Sequence, residues 1–512
     1  MKIFKLKDIN RVLSMALITT TILSCSDFLE EDNQSSLNPD SFYKTLTHAE
    51  SALNAVYATT RDIFGGFSGG NSSNWHLLEA VTGQSVNNSS GNPDLNSLAS
   101  LSYNSNLIHA RNIWAGTYKL VGNANMVIEN VPDIFMPEER KKQILGEAYF
   151  LRAWAYFNAV RIWGDIPLIT SPVETGSSNF YAERTDQSLV YDQIISDLQF
   201  SESSGLNETD NTGRVSLAAV KSLLAKVYLT MAGHPLNRTE HYADAASKAL
   251  EVINMGSAIN LFETYGELRL ESTENTVEHI FGIQYAPNVK ANDMVYSFLP
   301  QVNITTGGAQ GWLTNVPEEN FYNSFEAGDL RKVNREGWFF TDYFLGGSGE
   351  LTDLGGPFVF KFFNVENFGT EGVDGNNTGD FLNFSVLRFA EVLLIYAEAS
   401  NEVSGPTPAA IDALKRVRDR AGLTTPTSSS KDAFRELVWK ERWHELCYER
   451  KTWFDMVRLR KVFNSKTGNF DNFVGYSNPI SNQSLQEKHL LFPIPALELV
   501  NNPNLTQNPG YN

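Results

Sequence analysis

The stretch from Glu138 to Pro167 constrains the fold more than any other part of this 512-residue chain. Its apolar residues recur at spacings of three and four, so the stretch predicts a helix with one apolar face. These residues are Ile144, Ala148, Leu151, Ala155, Ala159 and Ile162. The alanines allow another helix to approach closely, and Gly164 and Pro167 end the predicted helix. This construction is typical of stacked helical hairpins of the tetratricopeptide type.

Helical periodicity covers about residues 107–255 and 385–461, whereas residues 65–106 and 256–383 lack it. Gly, Ser, Asn and aromatic residues dominate the two irregular parts, where we expect surface loops and a few short strands. The sequence therefore predicts a mainly α fold, a tetratricopeptide-like scaffold with a large irregular, loop-rich insertion. Loops of this length are usually functional. The helices expected in the second helical part cover residues 385–401, 408–420 and 431–461.

The N-terminus has the features of a lipoprotein signal peptide. Basic residues precede an apolar segment from Val12 to Leu23, which is too short to span a bilayer. The segment ends in Ile-Leu-Ser-Cys25, which resembles a bacterial lipobox. We therefore expect residues 1–24 to be removed, Cys25 to be lipidated and residues 25–512 to form one domain. Cys447 is then left without a disulfide partner and is expected in the core.

Charge excludes one class of partner. The chain has a formal net charge of -18 at pH 7. A chain this acidic repels phosphate backbones, so we expect no nucleic-acid binding. Neutral ligands stay possible.

Two patterns resemble enzyme motifs but lack a necessary part. Gly66–Gly70 has the spacing of a hydrolase nucleophile at Ser68, but it lies in a Gly/Ser/Asn-rich loop rather than between a strand and a helix. His444-Glu445 begins a zinc-protease motif, but Tyr448 stands where the second histidine is needed. The sequence predicts no metal site, no cofactor and no catalytic residue.

Glutamates 441, 445 and 449 repeat every four residues, with Arg442 and Arg450 among them. A pair of carboxylates can hydrolyse glycosides. On one helix interleaved with arginines, however, carboxylates more often form a structural ion network, and this is our interpretation.

Six segments, in order along the chain, resemble the SusD/RagB family of outer-membrane lipoproteins. They are Arg152–Leu168, Gly213–Leu229, Leu387–Ala399, Val417–Leu423, Glu441–Arg458 and Phe492–Tyr511. The last contains Phe-Pro-Ile-Pro and Gln-Asn-Pro-Gly-Tyr and is the most specific. The lipobox agrees with them.

This resemblance implies a surface-exposed, lipid-anchored protein of the cell outer membrane. Such a protein binds an oligosaccharide or polysaccharide and passes oligosaccharides to a SusC-like TonB-dependent transporter. It is not an enzyme and needs no cofactor. Two alternatives stay open: a peptide-binding uptake protein of the same family, and a surface glycosidase. The glycan contacts of this family lie outside its recognisable motifs, so none can be transferred to this chain.

Three tryptophans in the irregular parts, Trp75, Trp312 and Trp338, have no helical face to explain them. An indole offers a flat apolar surface to a sugar ring. Amides beside them, Asn74 and Gln310, can hydrogen-bond sugar hydroxyls. We expect Trp75 and Trp312 to converge on one exposed shallow surface. The alternative is that each tryptophan packs under its own loop.

Overall fold

The structure is a computed structural model that describes residues 42–511 except 65–73, 90, 175, 178, 287–288, 303–310, 345–349, 369–379 and 428–429. The predicted signal peptide, the predicted lipidation site Cys25, Ser68 and Gln310 lie outside the described residues.

Helices dominate the described residues, as predicted. This described part of the chain forms fifteen α-helices: α1 Leu46–Phe64, α2 His76–Glu79, α3 Pro93–Ala99, α4 Ile108–Asn130, α5 Glu138–Trp163, α6 Gln187–Glu202, α7 Leu217–Ala232, α8 His241–Ile253, α9 Glu319–Asn323, α10 Val365–Phe368, α11 Phe389–Ser404, α12 Pro408–Arg420, α13 Lys431–Glu445, α14 Thr452–Leu459 and α15 Ala496–Asn501. The long helices pack in sequence, α4 on α5, α5 on α6, α6 on α7 and α7 on α8. Helix α11 continues the stack against α8 and is followed by α12 and α13. The tetratricopeptide-like scaffold is confirmed.

Helix α5 is buried as its sequence predicts. Its face alanines Ala155 and Ala159 are completely buried. A Cβ at Gly146 would lie 1.9 Å from the Ser204 hydroxyl oxygen, so only glycine allows the end of α6 to pass this closely. Arg152 crosses from α5 to pair with Asp197 on α6 at 2.7 Å, inside the core. Helix α5 is therefore fixed by the close approach of the Ser204 side chain to Gly146 and by a buried ion pair.

Two-stranded antiparallel sheets occupy the irregular parts and the C-terminal region. The strands are β1 Ser85–Val86, β2 His279–Ile283, β3 Val316–Pro317, β4 Phe339–Phe344, β5 Leu351–Val359, β6 Phe384–Arg388, β7 Lys461–Asn464 and β8 Asn469–Asn472. They pair as β1 with β3, β2 with β6, β4 with β5 and β7 with β8. The predicted short strands are thus present, and the β1–β3 pair joins the two irregular parts.

Three local predictions were wrong. The helix expected from Ser385 begins at Phe389, because residues up to Arg388 pair with β2 instead. The helix expected over 431–461 is broken after Glu445, where Tyr448 and Arg450 adopt positive φ angles of 61° and 57°. A left-handed residue cannot continue a right-handed helix.

The third wrong prediction concerns residues 74–106, which were expected to be surface loops. They contain α2 and α3, and Leu77, Leu78 and Leu95 are completely buried. The Asn92 side chain caps α3 by accepting from the backbone amides of Asp94 and Leu95. The apolar residues of this segment were numerous enough to bury it despite its turn-forming composition.

A second, smaller aromatic core lies under the irregular insertion. It is formed by Val295, Leu299, Phe340, Tyr343, Phe358, Phe360, Phe363 and Phe368. Tyr296 and Leu313 pack against it from outside. This core is the base on which the partly exposed aromatics of the insertion stand.

Candidate functional site

Glu441, Glu445 and Glu449 are held in a buried ion network, as predicted. Glu441 accepts from Arg331 at 2.7 Å and from Arg418 at 2.9 Å. Glu445 accepts from both Arg388 and Arg420 at 2.7 Å.

Glu449, the third of them, accepts from Arg388 at 2.7 Å and from Lys451 at 2.9 Å. Because buried carboxylates need charged partners, this network is a structural link between β6, α12 and α13.

The network also makes Glu445 and Glu449 unsuitable for acid catalysis. Burial acts to raise the pKa of Glu445, but the guanidinium groups of Arg420 and Arg388 outweigh it and lower that pKa to about 2. Glu449 likewise has a pKa well below its ordinary value, because Arg388 and Lys361 outweigh its burial. A glycosidase acid requires a raised pKa. Neither carboxyl fits that role.

Arg450 departs from the predicted network. Its backbone N–H donates to the Glu79 carboxylate, but its guanidinium has no hydrogen-bond partner within the described residues. The left-handed turn at Tyr448 and Arg450 ends the helix, so the four-residue spacing no longer places Arg450 beside the glutamates. By contrast, Arg442 pairs with Asp455 at 3.0 Å.

Trp75 was predicted to be exposed, and the structure buries it. Its side chain is 1% exposed and meets Phe298 edge to face at a centroid distance of 4.7 Å. Its neighbour Asn74 is also buried and donates to the backbone oxygen of Asp62 at 2.8 Å. The start of α2 carries both residues into the main core, so Asn74 ties this segment to α1 instead of facing a ligand.

Trp338 is likewise buried, against the prediction. It is 0% exposed and meets Tyr265 edge to face at 4.4 Å. The Lys361 ammonium lies 4.2 Å from its ring centroid. Trp338 is therefore a core residue that contacts a buried cation, a favourable arrangement away from water.

Trp312 alone among the three tryptophans is partly exposed. Its ring lies 5.5 Å from that of Tyr296, with an angle of 38° between the ring planes. Its backbone N–H donates to the backbone oxygen of Tyr296 at 2.8 Å. Tyr296 is partly exposed as well. We call these two rings the Tyr296–Trp312 surface.

Gly311 makes this arrangement possible. A Cβ at this position would lie 1.8 Å from the backbone oxygen of Leu299, so any other residue would push the two segments apart. The Gly311 N–H donates to the backbone oxygen of Pro300 at 2.8 Å. Close backbone approach at a glycine therefore sets Trp312 beside Tyr296.

Asn315, near Trp312 in sequence, is completely buried. Its side-chain nitrogen lies 3.1 Å from His76 Nδ1, and its oxygen accepts from Ser85 Oγ at 3.1 Å. It links β3 to the α2 region and takes no part in an exposed surface.

The shared exposed surface of Trp75 and Trp312 is not formed. Both contact one short segment, Trp75 through Phe298 and Trp312 through Tyr296, but only Trp312 reaches solvent. Tyr296 was missed because the sequence reasoning singled out tryptophans. The same signal, an aromatic residue in a region without helical period, marks Tyr296 too.

The described ranges contain no group of three His, Cys, Asp or Glu residues that could hold a metal ion. None of their helices combines the length and the apolar character needed to cross a membrane.

Two family models match the chain. Residues 27–229 match one described as "Starch-binding associating with outer membrane", and residues 339–511 match one described as "SusD family". SusD-like protein P2 of Formosa agariphila is 29% identical over an alignment of 543 positions, gaps included. The alignment covers 98% of this chain and 99% of that protein. A SusD-like protein of Bacteroides ovatus is 27% identical over 379 residues, 70% of this chain and 67% of that protein.

Solved structures agree with these matches. A SusD superfamily protein from Parabacteroides distasonis is 34% identical, covers 93% of this chain and 100% of its own, and has a TM-score of 0.85. A laminarin-binding SusD-like protein is 26% identical, covers 92% of this chain and 100% of its own, and has a TM-score of 0.72.

Proposed function

Because the chain belongs to the SusD/RagB family, as both family models and the 34% identity to the Parabacteroides distasonis protein show, we propose that it is a non-catalytic carbohydrate-binding protein. The Tyr296–Trp312 surface is the observation that carries the proposal. Of the three tryptophans predicted as sugar contacts, Trp312 is the one that reaches solvent, and it does so beside a second ring.

The geometry of this surface suits a chain of sugar rings. Aromatic rings stack on the apolar C–H faces of sugars, and two tilted rings can follow a glycan that turns from one residue to the next. Backbone hydrogen bonds and the tight approach at Gly311 fix both rings before a ligand arrives. Preorganised contacts of this kind reduce the entropy lost on binding.

A neutral glucan is the ligand class to test first. The net charge of -18 disfavours polyanionic glycans. The 26%-identical structure is described as laminarin-binding, and laminarin is a neutral glucan. We therefore propose a neutral glucan of the laminarin type as the first candidate for this chain.

The proposal extends to cellular position and partner. The lipobox at Cys25 supports a lipid anchor, and the description of the matching family model supports association with the outer membrane. We propose exposure at the cell surface and delivery of oligosaccharides to a SusC-like TonB-dependent transporter. Purification in mild detergent should recover such a transporter with the protein. Repeated purification of the protein alone would contradict the proposed partnership.

Calorimetric titration with laminarin oligosaccharides tests the binding site. Removing a dominant aromatic contact typically costs ~2 kcal/mol or more, about thirtyfold in affinity. Trp312→Ala should weaken binding at least tenfold and leave the melting temperature nearly unchanged, since the indole is only partly buried. Tyr181→Ala is the matched control, because Tyr181 is an exposed aromatic outside this surface.

Three other outcomes would favour an alternative function or overturn the proposed site. Release of sugars from a polysaccharide by the purified protein would favour the glycosidase. Peptide binding that Trp312→Ala abolishes, without any glycan binding, would favour the peptide-uptake protein. Unchanged glycan affinity with a collapsed melting temperature would make Trp312 a core residue and overturn the proposed site.

A further inference from the structure

A small cavity lies where α5, α7, β6 and the turn before α14 meet. Its volume is about 30 Å³, and its charged lining includes Arg161, Lys226, Arg450 and Lys451 with only one carboxylate, Glu449. A single water molecule needs a cavity of roughly 10–15 Å³. The cavity therefore accepts a small ion and excludes a sugar.

Arg450 projects into this cavity without a partner. It is 4% exposed, and all three of its guanidinium nitrogens lack a hydrogen-bond partner in the described part of the chain. Its guanidinium carbon lies 4.3 Å from the ring centroid of Phe64, another lining residue. Besides the nearby Glu79 carboxyl, its charge faces an aromatic ring, which stabilises a cation less than a paired anion does.

Arg161 supplies a second cation without a carboxylate. Its guanidinium lies 3.7 Å from the ring centroids of both Phe157 and Phe454. Its Nε donates to the backbone oxygen of Phe157 at 2.8 Å. No ion pair of Arg161 occurs among the residues described. Burial lowers the pKa of Arg161 to about 10 and that of Arg450 to about 9, so both stay cationic at neutral pH.

The remaining charges around the cavity do not balance these two arginines. Lys226 and Lys451 share Glu391, at 2.8 and 2.9 Å. Glu449 is already held by Lys451 and by Arg388.

The Glu79 carboxyl, which accepts from the Arg450 backbone, does not supply the missing charge. Burial raises its pKa to about 8, so it is mostly protonated at neutral pH. The lining of the cavity consequently has an excess of positive charge.

We propose that this cavity is a binding site for a small monovalent anion such as chloride, held between the guanidinium groups of Arg450 and Arg161. The anion would accept hydrogen bonds from the Arg450 nitrogens, which have no other partner within the described residues, and would offset the excess charge. Arg161 also borders an open groove of about 460 Å³, which offers a route from solvent. The site stands apart from the Tyr296–Trp312 surface, so it does not depend on the proposed glycan binding.

Bromide can replace chloride and scatters X-rays anomalously, so a bromide-containing crystal tests the site directly. Crystals of the protein grown in sodium bromide should give an anomalous peak in this cavity, within hydrogen-bond distance of Arg450. The Arg450→Met protein should lack that peak. A cavity that holds water alone in bromide-grown crystals of the unchanged protein would overturn the proposal.

Thermal melting provides a second readout. At constant ionic strength, replacing gluconate by chloride should raise the melting temperature until the site is saturated, by roughly 2–3 °C at a hundredfold excess over Kd. Gluconate is too large for the cavity. Arg450→Met should remove the saturable rise.

Arg460→Met is the matched control and should keep the rise. Arg460 also has a positive φ, of 54°, but it lines the open groove rather than the cavity. General salt effects are common to all variants, so only the difference between variants reports on the site. Equal chloride dependence in all three proteins would contradict the proposal. If Arg450→Met does not fold, the bromide map of the unchanged protein still decides.

Discussion

Arg388 and Glu445 form an ion pair of 2.7 Å that joins the end of β6 to the end of α13 in the protein interior. Arg388 is 2% exposed and Glu445 is completely buried. The same guanidinium also binds Glu449 at 2.7 Å and Glu278 at 2.9 Å. One arginine thus connects the irregular insertion to the C-terminal helices.

Glu445→Gln should destabilise the protein strongly. The substitution keeps the shape but leaves Arg388 and Arg420 with a neutral partner, and breaking a buried ion pair typically costs about 3–5 kcal/mol. The free energy of unfolding in urea measures this change. Lys415→Ala is the control, because Lys415 and Asp419 form an exposed pair, which contributes about 0–1 kcal/mol in general. Similar small losses in both variants would show that the network adds little to stability.

Acid should weaken the protein through the same network. Burial opposes ionisation of Glu391 and Glu445, yet their cationic neighbours lower both pKa values to about 2. A carboxyl with a depressed folded-state pKa stabilises the fold above its unfolded pKa, about 4.3, and this contribution disappears as the pH falls toward about 2. Urea unfolding between about pH 5 and pH 2 should therefore show a falling free energy of unfolding. The decline should be shallower in Glu445→Gln, and identical slopes would contradict the assignment.

Ala155→Trp should overpack helix α5. Ala155 is completely buried where α5 meets its neighbours. An added large side chain in a packed core typically costs about 1–3 kcal/mol or more. Lys142→Trp, on an exposed position of the same helix, is the control. A melting temperature that Ala155→Trp leaves unchanged, as Lys142→Trp should, would show that α5 is not packed as described.

Cys25→Ala should prevent lipidation. The lipobox motivates this expectation, since a cysteine thiol is the group that receives the lipid. Cells fed a labelled fatty acid should label the unchanged protein and not the variant. Cys447→Ala should keep the label, because Cys447 is buried in the core. Label retained by Cys25→Ala would exclude anchoring at this residue.

The scaffold could be predicted because its signal is local. The apolar period of residues 138–163 and the small residues Ala155 and Ala159 dictate a helix that packs closely on both sides. The break after Glu445 carried no such signal. Tyr448 and Arg450, rather than glycines, adopt the left-handed conformation there, so the sequence gives no warning of a turn.

Exposure of the tryptophans could not be predicted because distant residues decide it. Trp75 is covered by Phe298, and Trp338 by Tyr265 and Lys361, none of which is near in sequence. Composition favoured loops around all three tryptophans. Only long-range packing distinguishes Trp75 and Trp338, which are buried, from Trp312, which is partly exposed.

A crystal structure of the protein with a bound laminarin oligosaccharide tests the central claim most directly. We predict a glucosyl ring stacked on the exposed face of Trp312, with a neighbouring ring against Tyr296. Ring centres should lie about 4.5–7 Å apart, as in other ring stacking. An oligosaccharide bound only elsewhere, with the Tyr296–Trp312 surface empty, would contradict the account.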